Sequence, residues 1–225
     1  MKTNAKSDFV LHKNDCVFCR EFNGSRETNF AKIYPEIKSR TIAETDGLKS
    51  FPCIGQIAPG HFLIAPKNHY LSFAETIDSM LNMAQQLVDL NAKAHQVIGS
   101  RPEDSFYFEH AAITDANGGC GIYHAHLHAV PNMKSIKLDI YIPDAEIDGV
   151  YETLVEALKA APRGLPYAVY GSVIQKFTIA RIKEPLPSQT LRRLVSNGVG
   201  TSAWDWRKAG REIKLLEMHE RGELM

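Results

Sequence analysis

Apolar and polar positions change their period repeatedly along the chain, and each change marks a change of element. Short apolar or alternating blocks near 30–34, 41–45, 49–57 and 61–66 predict strands, the second and third joined by a turn at Thr45-Asp46-Gly47. Ser72 and Glu75 then form a capping-box pattern ahead of Ile77, Met80, Leu81, Ala84, Leu87, Val88 and Ile98. Those residues recur at helical spacing, which predicts one long helix ending at Gly99. Strands follow at 105–113 and 122–130, joined by a glycine-rich loop from Asp115 to Gly121.

Beyond Pro131 the same reading predicts a helix within 141–160 from Ile147, Val150, Leu154, Val155 and Leu158. A strand pair at 167–170 and 177–182 comes next, then a helix started by Pro185-Leu-Pro187-Ser188-Gln189 with Leu191, Leu194 and Val195 as its stripe. A charged terminal helix follows Trp204-Asp205-Trp206-Arg207. The order implies an α+β protein, an antiparallel sheet with a long helix packed on it and a C-terminal α/β extension. No linker rich in Gly, Ser or Pro separates the parts, so residues 1–135 read as the main domain and 136–225 as an extension packed on it.

Inside the 122–130 block, Gly121-Ile-Tyr-His-Ala-His-Leu-His-Ala-Val130 puts histidines at every second position. On a strand, His124, His126 and His128 share one face, with neighbouring rings roughly 6.6 Å apart, a gap that fits a phosphate group. Imidazole, with an ordinary pKa near 6.5, is both a nucleophile and a hydrogen-bond donor around neutrality. Phosphoryl chemistry, a three-histidine metal site and a half-buried polar strand all fit this face. Chemistry is favoured, because three aligned imidazoles are costly decoration.

Upstream, Cys16-Val-Phe-Cys19 can supply two thiolates to one side of a turn, half of a tetrahedral zinc site. A redox dithiol and simple packing are the rival readings. The redox reading is weakened by the position of the pair in a polar segment rather than between a strand and a helix.

The run His124-Ala-His126-Leu-His128-Ala-Val130 resembles the signature of the histidine-triad (HIT) superfamily of nucleotide hydrolases and nucleotidyl transferases. The resemblance implies a HIT-like fold and a nucleophile at His126, which would carry a nucleotidyl group covalently. Pro66-Lys-Asn-His69 is similar to a family segment whose histidine binds zinc, so the implied ligand set is Cys16, Cys19, His69 and His124 around a structural Zn²⁺. That leaves His126 and His128 as the working pair. Gly119-Cys120-Gly121 and Phe108-Glu109-His110 look instead like the galactose-1-phosphate uridylyltransferase branch, which implies that His110 replaces an asparagine touching substrate phosphate, with a purely structural histidine as the rival reading. The glycine-rich loop can present backbone N–H groups to an anion, which makes Asn117, Gly119, Cys120 and Gly121 candidate substrate contacts, a tight turn between two strands being the alternative. His128, where that branch carries glutamine, points back to hydrolysis. A hydrolase is therefore favoured over a transferase, and a catalytically silent nucleotide-binding or metal-sensing protein is the reading from another class.

Composition adds limits. With 26 basic and 26 acidic side chains among 225 residues, there is no basic excess to hold extended nucleic acid. The expected partner is a small-molecule nucleotide, with a homodimer admitted. No apolar run reaches the ~18 residues of a membrane span, the first residues lack a signal-peptide core, and four cysteines suit a reducing cytoplasm. Trp204 and Trp206 read as core anchors with base stacking as the alternative. Arg192 and Arg193 read as a solvated helix face, although they could reach a phosphate.

Overall fold

The computed structural model describes residues 15–79, 82–111, 121–208 and 212–225. Helix α1, Val17–Phe22, begins at Cys16, whose sulfur accepts the Cys19 N–H. Helix α2, Asn29–Ile33, occupies a block that apolar patterning assigns to a strand. The local cap wins there: Thr28 Oγ1 accepts the Ala31 N–H at 3.3 Å, and Phe30 and Tyr34 meet one turn apart with ring centroids 5.7 Å from each other.

Strands β1 (Ala43–Glu44), β2 (Leu48–Pro52) and β3 (Phe62–Pro66) form a meander. The third predicted strand stops at Pro52, short of residue 57, because the chain turns out of the sheet through Gly55 at a φ of +68°. The single long helix divides into α3, Phe73–Ser79, and α4, Met83–Ile98, with Asn82 in the left-handed region at a φ of 60° between them. Ser72 Oγ caps the Glu75 N–H, but the Glu75 carboxylate reaches back to Leu71 rather than to Ser72. Val88 is solvent-exposed instead of lying on the apolar stripe, while Met80 and Leu81 fall outside the described residues.

Strand β4 is Phe106–Ala111 and β5 is Leu127–Val130. In the extension, β6 (Ala145–Tyr151) and α5 (Leu154–Ala160) replace the one helix expected within 141–160. Ile147 and Val150 are exposed on this edge strand, so their spacing is no core stripe, and the helix starts only at the Thr153/Glu156 capping box. Strands β7 (Tyr167–Ser172) and β8 (Lys176–Ile182) and helices α6 (Thr190–Val199) and α7 (Ile213–Glu220) complete the order.

Among the described residues the strands make one sheet in the order β1-β2-β3-β5-β4-β7-β8-β6, every neighbouring pair antiparallel. The extension enters this sheet where β7 pairs with β4. One face packs Phe62, Ile64, Tyr107 and Leu127 against Leu87, Leu90 and Ala94 of α4. On the opposite face, Phe106, Phe108 and Val130 meet Leu191 and Val195 of α6, while Phe51, Leu63 and Ala65 meet Phe18 of α1. His128 lies opposite Leu63 on one side and Phe108 on the other, so it opens on this second face. Helices α1 and α6 therefore flank the histidines. No helix among the described residues is long and apolar enough to cross a membrane.

Candidate active site and metal centre

The expectation of a strand over 122–130 is corrected by the backbone. His124 and His126 precede β5 in irregular chain, and only His128 is within it. All three are buried. Leaving the strand early frees the two rings from strict alternation, and they serve different neighbours.

Cys16, Cys19, His69 and His124 converge, one donor atom from each, with all four atoms within 4.8 Å of one another. Cys16 Sγ lies 3.3 Å from His124 Nδ1, and Cys19 Sγ lies 3.4 Å from His69 Nδ1 and 3.6 Å from His124 Nδ1. Sulfur and nitrogen ligands at the corners of a tetrahedron around zinc, with bonds of about 2.3 and 2.05 Å, would stand about 3.6 Å apart, so the spacing fits such an ion. The chemistry of the set fits as well. The Cys19 thiol beside it, with His124 and His69, holds the Cys16 thiol down at about 2, so this sulfur is a ready thiolate. The His124 Nε2–H donates to the Pro66 carbonyl at 2.8 Å, leaving Nδ1 with its lone pair toward the sulfurs.

His126 is fixed by the same residue through its backbone. Its Nδ1–H donates to the His124 carbonyl at 2.6 Å, which leaves the lone pair on Nε2. Phe18 closes edge-on over His124 and His126, with ring centroids at 5.7 and 5.5 Å.

His128 receives its orientation from His61. The Ile57 N–H donates to His61 Nδ1 at 3.2 Å, so the His61 hydrogen sits on Nε2 and points at His128 Nδ1, 2.9 Å away. His128 then carries its own hydrogen on Nε2. Burial, with the charge of Arg192 added, holds His61 well below the ordinary histidine range. Burial does the same to His128, helped by His126, His61 and Arg192. Phe108 stacks flat on the His128 ring, centroids 4.2 Å apart. His61 was legible only as one histidine in an apolar run, and nothing local announced its partner.

These groups open on a cleft lined by Phe18, Phe30, Ile54 and Leu63 together with His126, His128, Arg192 and Trp206. Trp206 is thus part of the cleft wall and carries Arg207 over its ring at 5.2 Å. Arg192, expected on a solvated face, is buried. Arg193 alone of that pair is exposed. Of the implied substrate contacts, Asn117, Gly119 and Cys120 lie outside the described residues. Gly121 has a φ of +89°, and a Cβ there would come within 3.2 Å of Ser188 Oγ, so the extension crosses the entry to the histidine segment. His110 is buried on β4, and among the described residues neither of its ring nitrogens has a hydrogen-bond partner.

Comparison with known proteins bears on the same region. Residues 34–135 match the family model described as HIT domain. The chain is similar to the protein named adenylylsulfatase HINT3 of Arabidopsis thaliana, 31% identical over 119 residues, which span 53% of this chain and 53% of that one. The chain thus spans about half the length of that curated relative. It is also similar to an uncharacterized 16.1 kDa HIT-like protein of Mycoplasma pneumoniae, 25% identical over 125 residues, or 56% of this chain and 76% of that one. Among solved structures, a histidine triad protein from Clostridium difficile is 26% identical with a TM-score of 0.39, covering 57% of this chain and 96% of that chain. Residues 34–135 thus carry a HIT domain, and over that stretch the chain resembles other HIT proteins.

Proposed function

We propose that the protein is a nucleotide hydrolase that cleaves a nucleoside 5′-phosphoryl compound at its α-phosphorus through a covalent nucleotidyl-His126. The observation that carries this reading is the 2.6 Å hydrogen bond from His126 Nδ1 to the His124 carbonyl, which turns the Nε2 lone pair into the attacking atom. In the first half-reaction an Nε2–phosphorus bond forms and the bond from phosphorus to the leaving group breaks. The carbonyl stabilises the positive charge that grows on the ring, much as a carboxylate does in a catalytic triad. His128, a neutral donor at Nε2, hydrogen-bonds the phosphoryl oxygens, and the leaving group departs with the bonding electron pair as an anion. Water then attacks the same phosphorus, the nitrogen–phosphorus bond breaks, and a mononucleotide leaves.

The apolar residues Phe18, Phe30, Ile54 and Leu63 suit the base, and Trp206 offers a flat face beside it. Cys16, Cys19, His69 and His124 would hold a structural Zn²⁺ that takes no part in bond making and fixes His124, and through its carbonyl the nucleophile. The name of the plant relative makes adenylyl sulfate one substrate to test. The experiment is a panel of labelled adenylyl sulfate, nucleoside phosphoramidates, dinucleoside polyphosphates and nucleotide sugars, with and without orthophosphate or a sugar phosphate. Mononucleotide released in water alone, and lost in His126→Ala, is the expected result. Product only in the presence of an acceptor would make the protein a transferase, and no product from any of them would contradict the reading.

A further inference from the structure

Arg192 reaches the histidines from α6, in the part of the chain beyond the matched HIT domain. It is 4% exposed, and among the described residues no carboxylate lies within ion-pair distance of it. Its three hydrogen bonds among the described residues all go to uncharged groups: Nε to the Trp204 carbonyl at 2.7 Å, Nη1 to Cys53 Sγ at 3.2 Å, and Nη2 to the Gly55 carbonyl. Cys53 supplies no counter-charge, since its thiol donates to the Ile54 carbonyl at 3.2 Å. A guanidinium taken out of water without an anion is costly. Gly55 shows how closely it is held, because a Cβ at that position would fall 2.6 Å from the Trp206 Cα and 3.4 Å from Arg192 Nη2.

A second feature points to the same place. His110 is 7% exposed, has no partner for either ring nitrogen among the described residues, and lines a small pocket with Phe108, His128, Gln189, Leu191 and Arg192. Buried imidazole nitrogens are rarely left unpaired. Arg192 and His128 line both this cavity and the larger cleft. A cation without an anion and an imidazole without a partner therefore border the donor proposed to face the reacting phosphorus.

We propose that Arg192 and His110 form a subsite for a tetrahedral oxyanion, phosphate or sulfate, built by the C-terminal extension against His128. Two Arg192 N–H groups remain beyond the three in use, enough for a forked contact with two oxygens of the anion. His110 adds a neutral donor. The subsite would hold the part of the substrate that leaves from the α-phosphorus, which restricts the substrates to those whose leaving group is itself an oxyanion. This rests on the proposed chemistry at His126 but is tested without it.

The test is titration calorimetry of the zinc-loaded protein with inorganic phosphate and, separately, inorganic sulfate. Binding should occur, weaken about tenfold or more in Arg192→Gln, and persist in Arg193→Gln. The anion bound more tightly identifies the leaving group. Arg192→Gln also loses hydrogen bonds to the backbone, so His110→Leu, which breaks none, is measured alongside and should weaken binding too. Failure of wild type to bind either anion, or unchanged affinity in both folded variants, would overturn the subsite. Neither outcome touches the His126 reading, which is judged by turnover of the nucleotide panel.

Discussion

The carbonyl oxygen of His124 stands 2.6 Å from Nδ1 of His126, while the His124 ring lies 3.3 Å from the sulfur of Cys16. One residue thus joins the candidate metal centre to the candidate nucleophile, by its side chain on one end and its backbone on the other.

If that junction is held by zinc, the purified protein should carry close to one equivalent, and Cys16→Ser should lose it. Closed structural zinc sites contribute directly to folding, so the variant should also melt lower by several degrees and lose turnover with it. Metal analysis and calorimetry check both. A Cys16→Ser protein that keeps its zinc or melts like wild type would contradict the four-ligand set.

His61 is expected to govern the tautomer of His128. His61→Leu removes the donor to Nδ1 and frees the His128 hydrogen to sit on either nitrogen, which should lower kcat by about 10-fold to 10²-fold with zinc content unchanged. Equal kcat in wild type and variant would show that His128 needs no such hold.

His128→Gln keeps a donor but not the ring that His61 holds in place, so the contact to the phosphoryl oxygens is misplaced. Hydrolysis should fall by about 10²-fold to 10³-fold, less than in His126→Ala, because the nucleophile survives. The drop should be similar for good and poor leaving groups, since the lost contact is to the phosphoryl oxygens. A drop that grows with the basicity of the leaving group would contradict this assignment and make His128 a proton donor.

Stability should fall on the acid side. Burial lowers His61 and His128 well below 6.5 and brings His95 and His110 to about 4, so the unfolded chain takes up protons near 6.5 that the folded chain refuses. Their contribution is complete above 6.5 and is lost as the pH falls toward 4. Glu109 acts in the opposite sense: burial raises it to about 7, so its contribution is lost as the pH rises from 4.5 through 7. Four histidines outweigh one carboxyl, and melting temperatures should drop between pH 6.5 and 4.5. His95→Gln, away from the metal ligands, should flatten that profile, and a profile level down to pH 4.5 would contradict it.

The parts of the site that could be read in the sequence are those written at short spacing. Cys16 and Cys19 are three apart and the three histidines two apart, so one turn and one extended segment bring each set together. His61 and Arg192 could not be read this way. His61 meets His128 only because β3 pairs with β5, and Arg192 is buried only because α6 docks on the face that carries the histidines. In the fold, β2, β3, β4 and β7 were legible because strands buried on both faces read as short, largely apolar blocks. Residues 29–33 and 145–151 were not. A side-chain cap decided the first, and in the second two exposed residues, Ile147 and Val150, imitated a helical stripe.

The central claim is that His126 bonds to phosphorus. Rapid acid-free quenching of the enzyme with a radiolabelled nucleotide substrate, followed by peptide mapping, tests it directly. The expected result is a nucleotidyl group on the peptide 121–134, localised to His126 and absent from His126→Ala, in which turnover is abolished. Label at another residue, or a His126→Ala enzyme retaining more than about a tenth of wild-type turnover, where loss of a nucleophile costs orders of magnitude, would contradict the account.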